Sequence, residues 1–262
     1  MPRYLGQHFL NNPDIVDKII TASQIQPTDV IIEIGPGEGV LTEKICPQAE
    51  RVIAIELDSK LQDILQNKFS HQKNLEIIFD DILKINLPQL LKDRDITNYK
   101  IIANIPYYIT SKIIRLFLET AQQPDELILM VQKEVAQRIV APIGKMSLLS
   151  TSVQYYAQAE ILFDVTKDNF NPPPKVDSSV IKISQIKKNN PPEDKSFFRV
   201  VKAGFCARRK TLANNLSNSF HLDKKEIETL LQKVELSSNI RAQELSIQDW
   251  QKLADLFKTR LS

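Results

Sequence analysis

Five short runs of aliphatic, largely β-branched residues recur through the first half of the chain, at residues 30–34, 51–57, 75–79, 100–103 and 126–131. Their apolar side chains are nearly continuous, so each run reads as a strand buried on both faces. Between them the spacing turns helical. Leu61, Ile64, Leu65 and Phe69 fall on one face of residues 59–69, and Ile113, Ile114, Phe117 and Leu118 on one face of residues 110–121. Strands alternating with helices imply an α/β fold with a parallel sheet covered on both faces. Two later runs, residues 154–165 and 179–186, flank the turn-forming Asn171-Pro172-Pro173-Pro174-Lys175 with no helical pattern between them. They are expected to pair antiparallel at the end of the sheet.

Residues 187–194, Lys-Lys-Asn-Asn-Pro-Pro-Glu-Asp, are polar and aperiodic and read as a linker. The expected division is a sheet domain over residues 1–188 and a small all-helical domain over 189–262. Helical patterning covers residues 197–216, 223–233 and 246–261, with Ser246 and Asp249 spaced as a first-turn cap. Charge divides along the same line. Residues 195–262 carry 13 Lys and Arg against 7 Asp and Glu, a balance of +6, leaving −4 for the rest of a chain whose net charge is +2. Such an asymmetry suggests a polyanionic partner, although a solvated helical face accounts for charge alone equally well.

The 262-residue chain has no apolar run near the ~20 residues needed to cross a bilayer, and its first residues lack the apolar segment of a secretory signal. A cytoplasmic protein with no membrane association is expected. Cys46 and Cys206 stand far apart and His8, His71 and His221 are scattered, so neither a disulfide framework nor a metal site is expected; both thiols read as reduced and packed. With no obvious exposed apolar stripe, a monomer is expected.

Only six glycines occur in the chain, and three of them fall in Gly35-Pro36-Gly37-Glu38-Gly39, which leaves the first buried strand and opens a helix. Concentrating a scarce residue at a strand-to-helix turn favours a ligand loop over a mere turn. The nicotinamide fingerprint would need glycine where this chain has Val40, so a dinucleotide is disfavoured. Glu56, at the end of the next strand, could accept hydrogen bonds from two ribose hydroxyls of an NAD or an adenosyl group; a solvated strand end is the alternative. Asp80-Asp81 follows the third strand, where a carboxylate could accept from an exocyclic amine, a weak signal because Asp is common in turns.

Asn104-Ile105-Pro106-Tyr107-Tyr108 follows the fourth strand and carries the most information. Pro106 removes a donor and fixes the chain, so the Ile105 carbonyl and the Asn104 side-chain oxygen can face one amino group while Tyr107 stacks on a base. Two acceptors and an aromatic plate describe an adenine pocket. The adenine amine is a poor nucleophile because its lone pair is delocalised into the ring. Acceptors holding both N–H bonds favour a more tetrahedral nitrogen able to attack an activated methyl group, and the methylated nitrogen is acidic enough to release its proton without a dedicated base. Positioning and preorganised dipoles would carry such catalysis.

With these residues in order, the chain resembles the ribosomal RNA adenine dimethylase family. The likeness is to its KsgA-type small-subunit enzymes, in the wider group with Erm-type methyltransferases and mitochondrial transcription factor B. It rests on Leu5-Gly6-Gln7-His8-Phe9-Leu10, residues 33–39, Glu56-Leu57-Asp58, Asn104-Ile105-Pro106-Tyr107, residues 132–136 and Phe170-Asn171-Pro172-Pro173-Pro174-Lys175-Val176-Asp177-Ser178. The resemblance implies a seven-stranded, mostly parallel, Rossmann-like class I methyltransferase sheet followed by a small helical RNA-binding domain. It implies S-adenosylmethionine as donor, S-adenosylhomocysteine as product, and no metal. The donor would be held by His8, Leu10, Gly35, Gly37, Glu56, Asp81 and Asn104. Asn104, Ile105, Pro106 and Tyr107 would act on the target base, with Phe170 closing its other face. Arg208, Arg209 and Lys210, expected on a helix with Phe205 and Leu212 packed inward, would meet RNA phosphates. The implied reaction dimethylates N6 of two adjacent adenosines in a hairpin near the 3′ end of small-subunit (16S) RNA, within a pre-ribosomal particle. Asp80 stands where relatives often have glycine, which leaves open whether it or Asp81 faces the donor, and residues 141–147 lack the family's tyrosine-glycine pair. An Erm-type enzyme of large-subunit RNA, a non-catalytic RNA-binding factor and a DNA adenine methyltransferase are the competing readings.

Overall fold

A computed structural model describes residues 8–187 and 191–261. Its chain divides into two compact units, residues 1–137 with 157–187, and residues 138–156 with 188–262.

The first unit is a seven-stranded sheet with flanking helices, preceded by a short strand β1 (Phe9–Leu10) and the helix α1 (Pro13–Ser23). Four strands follow in the expected alternation: β2 (Val30–Ile34), β3 (Arg51–Glu56), β4 (Leu75–Phe79) and β5 (Lys100–Asn104). They are joined by α2 (Val40–Ile45), α3 (Gln62–Lys68) and α4 (Leu87–Lys92). Helix α5 (Thr110–Glu119) leads to β6 (Glu126–Gln132), which passes into α6 (Lys133–Ile139). After α7 (Leu148–Tyr156) come β7 (Gln158–Val165), the two-residue β8 (Phe170–Asn171) and β9 (Ser178–Ser184).

The sheet order is β4-β3-β2-β5-β6-β9-β7, parallel from β4 to β6, with β9 inserted antiparallel between β6 and β7. Chain order reverses between β2 and β5, so the carboxyl ends of β3, β2 and β5 open together onto one edge, where open α/β sheets bind ligands. Ile31, Ile32, Val52, Ile53, Ile101 and Leu127 are fully buried, as continuous apolar strands covered on both faces require. The late runs pair antiparallel as expected. Residues 154–156, however, belong to α7 and not to the strand, because Tyr156 continues the buried helical face of Leu149 and Val153.

The second unit packs α7 with α8 (Pro191–Gly204), α9 (Leu212–Phe220), α10 (Lys224–Lys233) and α11 (Ile247–Leu261) around Phe197, Val201, Leu216, Leu231, Trp250 and Phe257. A cut at 188/189 thus leaves out one piece of this unit. The Tyr155 ring stacks on Phe197 at 3.9 Å, its hydroxyl donates to Asp194, and Gly144 N–H donates to Gln243 O at 2.9 Å, drawing residues 138–156 to the carboxyl-terminal helices. Pro191–Asp194, read from sequence as linker, form the first turn of α8, where a proline's missing N–H would be unpaired in any case. The cap on α11 is as expected: Asp249 N–H donates to Ser246 Oγ at 3.1 Å, and Ser246 N–H to Asp249 Oδ2 at 3.0 Å. Among the described residues no helix is long and apolar enough to cross a membrane.

Candidate active site

The turn after β2 is closed by its own backbone: Gly35 N–H donates to Ile55 O on β3, and Gly39 N–H to Pro36 O. Gly37 and Gly39 both hold positive φ, 59° and 79°, but for different neighbours. A Cβ on Gly37 would come within 3.1 Å of the Phe9 ring, at the wall of the cleft, whereas one on Gly39 would overlap the Phe69 ring beneath it. Gly37 therefore keeps the cleft open, and Gly39 lets α3 close onto the turn.

Glu56, only 4% exposed, ends β3 beside this turn. Its Oε2 accepts from Gly37 N–H at 3.1 Å and its Oε1 from Asp58 N–H at 2.8 Å. The Leu57 N–H also acts on this carboxylate, and lone-pair capacity remains beyond these backbone donors. Burial pushes this carboxyl above its ordinary range, opposed by the backbone N–H groups of Asp58 and Gly37. Glu33 lies deeper, fully buried, and accepts a 2.6 Å hydrogen bond from Thr42 Oγ1. Desolvation pushes its pKa up to about 7, against the Thr42 bond and with a smaller contribution from the Glu56 charge.

The other wall is the end of β5. The Asn104 amide nitrogen faces His8 O at 3.4 Å. A backbone carbonyl can only accept, so this end of the amide is the NH₂ and the oxygen points away. Ile105 is buried and donates its N–H to Met130 O at 3.3 Å. Among the described residues nothing donates to its carbonyl. Pro106 then turns the chain, and the Tyr107 hydroxyl is tied to Ser178 Oγ at 2.7 Å, which fixes the ring as a plate. Partial burial raises the Tyr107 pKa, so the phenol stays neutral near pH 7.

The roof comes from β1, paired antiparallel with β8 through Phe9↔Asn171 and Leu10↔Phe170. His8 Nδ1 lies 2.8 Å from Pro172 O, an acceptor, so Nδ1 carries the proton of that bond, and the imidazole stands 6.0 Å from the Tyr107 ring at 27°.

His8, Phe9, Leu10, Gly35, Gly37, Val40, Glu56, Asn104, Pro106 and Tyr107 all line one cleft of about 750 Å³, counting its solvent-open mouth. The sequence-derived set is thus largely brought together; Ile105, 1% exposed, is absent from that lining, and four further differences stand out. Phe170 is 3% exposed and sits in the core with Leu10, Val16 and Ile19 instead of lining the cleft, because its pairing with Leu10 turns the ring inward. Asp81 is half-buried at the end of β4 outside the cleft lining, its Oδ1 taken by Leu83 N–H at 3.0 Å and its Oδ2 3.8 Å from Lys84 Nζ, while Asp80 is exposed. Arg208, Arg209 and Lys210 belong to the second unit and occupy a loop, not a helix. There Asn215 Nδ2 donates to Gly204 O and Ala207 O, ending α8, and Thr211 caps α9, while Phe205 and Leu212 do pack inward. Finally, Cys46 is buried, its pKa pushed up to about 11 chiefly by burial, but Cys206, at the start of that loop, is exposed. Residues 5–7 of the resemblance lie outside the described residues.

Phe9, Ser178 and the Pro172 carbonyl were not assigned roles from sequence. All three lie in segments that carried the resemblance, but only the pairing of β1 with β8 and of β9 with β6 reveals what they touch.

A parallel sheet with an antiparallel β9 before its last strand, a glycine turn after the first parallel strand and a buried carboxylate after the second define a class I methyltransferase. The match to the ribosomal RNA adenine dimethylase family spans residues 2–259, and the chain belongs to that family. Relatives include ribosomal RNA small subunit methyltransferase A of Dehalococcoides mccartyi strain CBDB1, 43% identical over 251 residues covering 95% of this chain and 86% of the relative. The Fusobacterium nucleatum protein of the same name is 40% identical, covering 97% of each chain. Among solved structures, a dimethyladenosine transferase from Plasmodium falciparum superposes with a TM-score of 0.80 at 28% identity, over 97% of this chain and 98% of the other. The 23S rRNA methyltransferase ErmE shares the fold with a TM-score of 0.73 at 22% identity, over 94% and 98%.

Proposed function

We propose that this chain dimethylates N6 of two adjacent adenosines in a hairpin near the 3′ end of small-subunit ribosomal RNA, presented in a pre-ribosomal particle, with S-adenosylmethionine as donor. The observation that carries this reading is the end of β5. There Asn104, its amide oxygen turned away from His8, and the anchored Tyr107 line the same cleft as the buried carboxylate of Glu56, and the Ile105 carbonyl lies between them in the chain.

The cleft fits the donor. Glu56 offers acceptors for a vicinal ribose diol, the backbone at Gly35 and Gly37 admits close approach, and His8 and Leu10 cover the methionine end. Asp81, just past the end of the strand next to that of Glu56, is assigned the donor's adenine amine through its remaining lone pairs. When bound, S-adenosylmethionine supplies a methyl group on a positively charged sulfur and leaves as S-adenosylhomocysteine. Asn104 Oδ1 and Ile105 O hold the two N–H bonds of the target amine and orient its lone pair, Pro106 fixes that carbonyl, and Tyr107 stacks on the base. The proton lost after each transfer passes to these acceptors or to water. With the ring of Phe170 in the core, closing the base's other face would require it to leave that packing. Arg208, Arg209 and Lys210 are assigned RNA phosphates, where they set affinity more than sequence choice. The relatives' small-subunit name and the two segments at residues 5–10 and 172–176 favour this substrate over large-subunit RNA.

Primer extension over unmethylated small-subunit particles incubated with the protein and donor should show new stops at two adjacent adenosines, absent with Asn104→Ala. Stops in large-subunit RNA instead, or none in either, would overturn the assignment.

A further inference from the structure

Tyr108 follows Tyr107 directly yet has no place in the chemistry above, and it is 62% exposed. Among the described residues of the first unit, large exposed apolar side chains are few: Leu57, Ile64, Tyr108 and Val176. Tyr108 and Val176 both stand at the carboxyl edge of the sheet, in the two segments joined by the Tyr107–Ser178 hydrogen bond. Tyr108 lies in the short 3-10 turn, Tyr107–Ile109, that follows β5. Val176 lies two residues before Ser178, which starts β9 opposite Gln132, the last residue of β6, and whose hydroxyl holds Tyr107 at 2.7 Å. Each has an exposed cation close by in the chain, Lys112 about one helical turn after Tyr108 and Lys175 immediately before Val176. Among the described residues neither lysine has an ion-pair partner.

An exposed aromatic ring costs solubility and contributes nothing to this core. Interleaved with unpaired lysines at the mouth of a base-binding cleft, it has the chemistry of a single-stranded nucleic acid platform, rings for bases and ammonium groups for the backbone. We propose that Tyr108 stacks on the nucleobase next to the one held by Tyr107, with Lys112 and Lys175 on the flanking phosphates, as a positioning residue that keeps the two nucleotides splayed. The inference rests on the base-pocket reading above. Consecutive Cα atoms lie about 3.8 Å apart, so rings on residues 107 and 108 can serve neighbouring nucleotides only if those bases are unstacked from one another. A target base withdrawn into the cleft leaves its neighbour without a stacking partner, and Tyr108 supplies one.

The test uses the full chain and an RNA hairpin carrying the target sequence, with 2-aminopurine replacing the nucleotide on either side of the methylated one. Wild-type enzyme should quench the probe at one of the two positions, Tyr108→Phe should quench it equally, and Tyr108→Ala and Tyr108→Leu should not. Tyr108→Ala should raise KM for RNA roughly five- to thirtyfold, more than it lowers kcat, with Tyr108→Phe restoring KM. S-adenosylhomocysteine should bind all four proteins alike, which a collapse of the cleft would not allow. If wild-type enzyme transfers methyl groups while Tyr108→Ala shares its KM and its quenching, the inference fails alone. A wild-type chain that methylates neither this hairpin nor unmethylated small-subunit particles would instead remove the reading beneath it.

Discussion

Glu33→Gln isolates the most strongly perturbed carboxyl of the sheet unit. Glu33 is fully buried and its pKa rises from 4.5 to about 7, largely through desolvation. The folded state therefore holds this proton more tightly than the unfolded chain does. The resulting stabilisation is complete below about pH 4.5, falls away as the pH rises through about 7, and is absent above it. A rise of that size corresponds to about 3 kcal/mol. Glutamine keeps an oxygen to accept the Thr42 hydroxyl and never ionises. Relative to wild type, Glu33→Gln should be near neutral at pH 4.5 and more stable by about 3 kcal/mol at pH 8.5, on the order of 6–12 °C in melting temperature for a domain of this size. Urea unfolding followed by circular dichroism across that pH range gives the difference directly. The single tryptophan, Trp250, belongs to the helical unit, so its fluorescence gives an internal reference. Parallel wild-type and Glu33→Gln stability curves from pH 4.5 to 8.5 would refute the reasoning, since no differential protonation would then exist at this position.

Three further outcomes follow from the same geometry. Gly39→Ala should cost about 2–4 kcal/mol in thermal unfolding through positive φ and overlap with Phe69, whereas Gly37→Ala should show its larger effect as weaker S-adenosylhomocysteine binding by calorimetry. Ser178→Ala removes the partner of the Tyr107 hydroxyl and should lower kcat/KM by roughly fivefold, about 1 kcal/mol, with Tyr107→Phe giving a similar loss. Replacing Arg208, Arg209 and Lys210 together with alanine should weaken RNA binding and reduce the slope of log affinity against log salt by about 2, three phosphate contacts at about 0.7 each; an unchanged slope would show that the loop touches no phosphate.

Much of the architecture was legible because buried parallel strands leave a one-dimensional signature: continuous β-branched runs, separated by helical spacing, admit few arrangements. The site was legible where one residue serves one local purpose, as with the glycine turn, Glu56 and Asn104. What the sequence hid depends on contacts between distant segments. Phe170 looked like a free aromatic beside a proline turn, yet its register against Leu10 carries the ring into the core. Arg208–Lys210 look helical by spacing, and it is Asn215, from the next helix, that takes the carbonyls at the end of α8. Residues 138–156 seem part of the sheet unit from their place in the chain, until Tyr155 meets Phe197 more than forty positions on. Nothing local in Val165 or Ser178 says that β9 inserts between β6 and β7, but that insertion places the Ser178 hydroxyl beneath Tyr107.

Incubation of unmethylated small-subunit particles with labelled donor, followed by nucleoside analysis of the RNA, measures the central claim. The wild-type chain should deliver four methyl groups per particle, all recovered as N6,N6-dimethyladenosine at two neighbouring positions, and Asn104→Ala, folded and still binding S-adenosylhomocysteine, should deliver none. Full incorporation by Asn104→Ala, or label recovered on any nucleoside other than adenosine, would contradict the account.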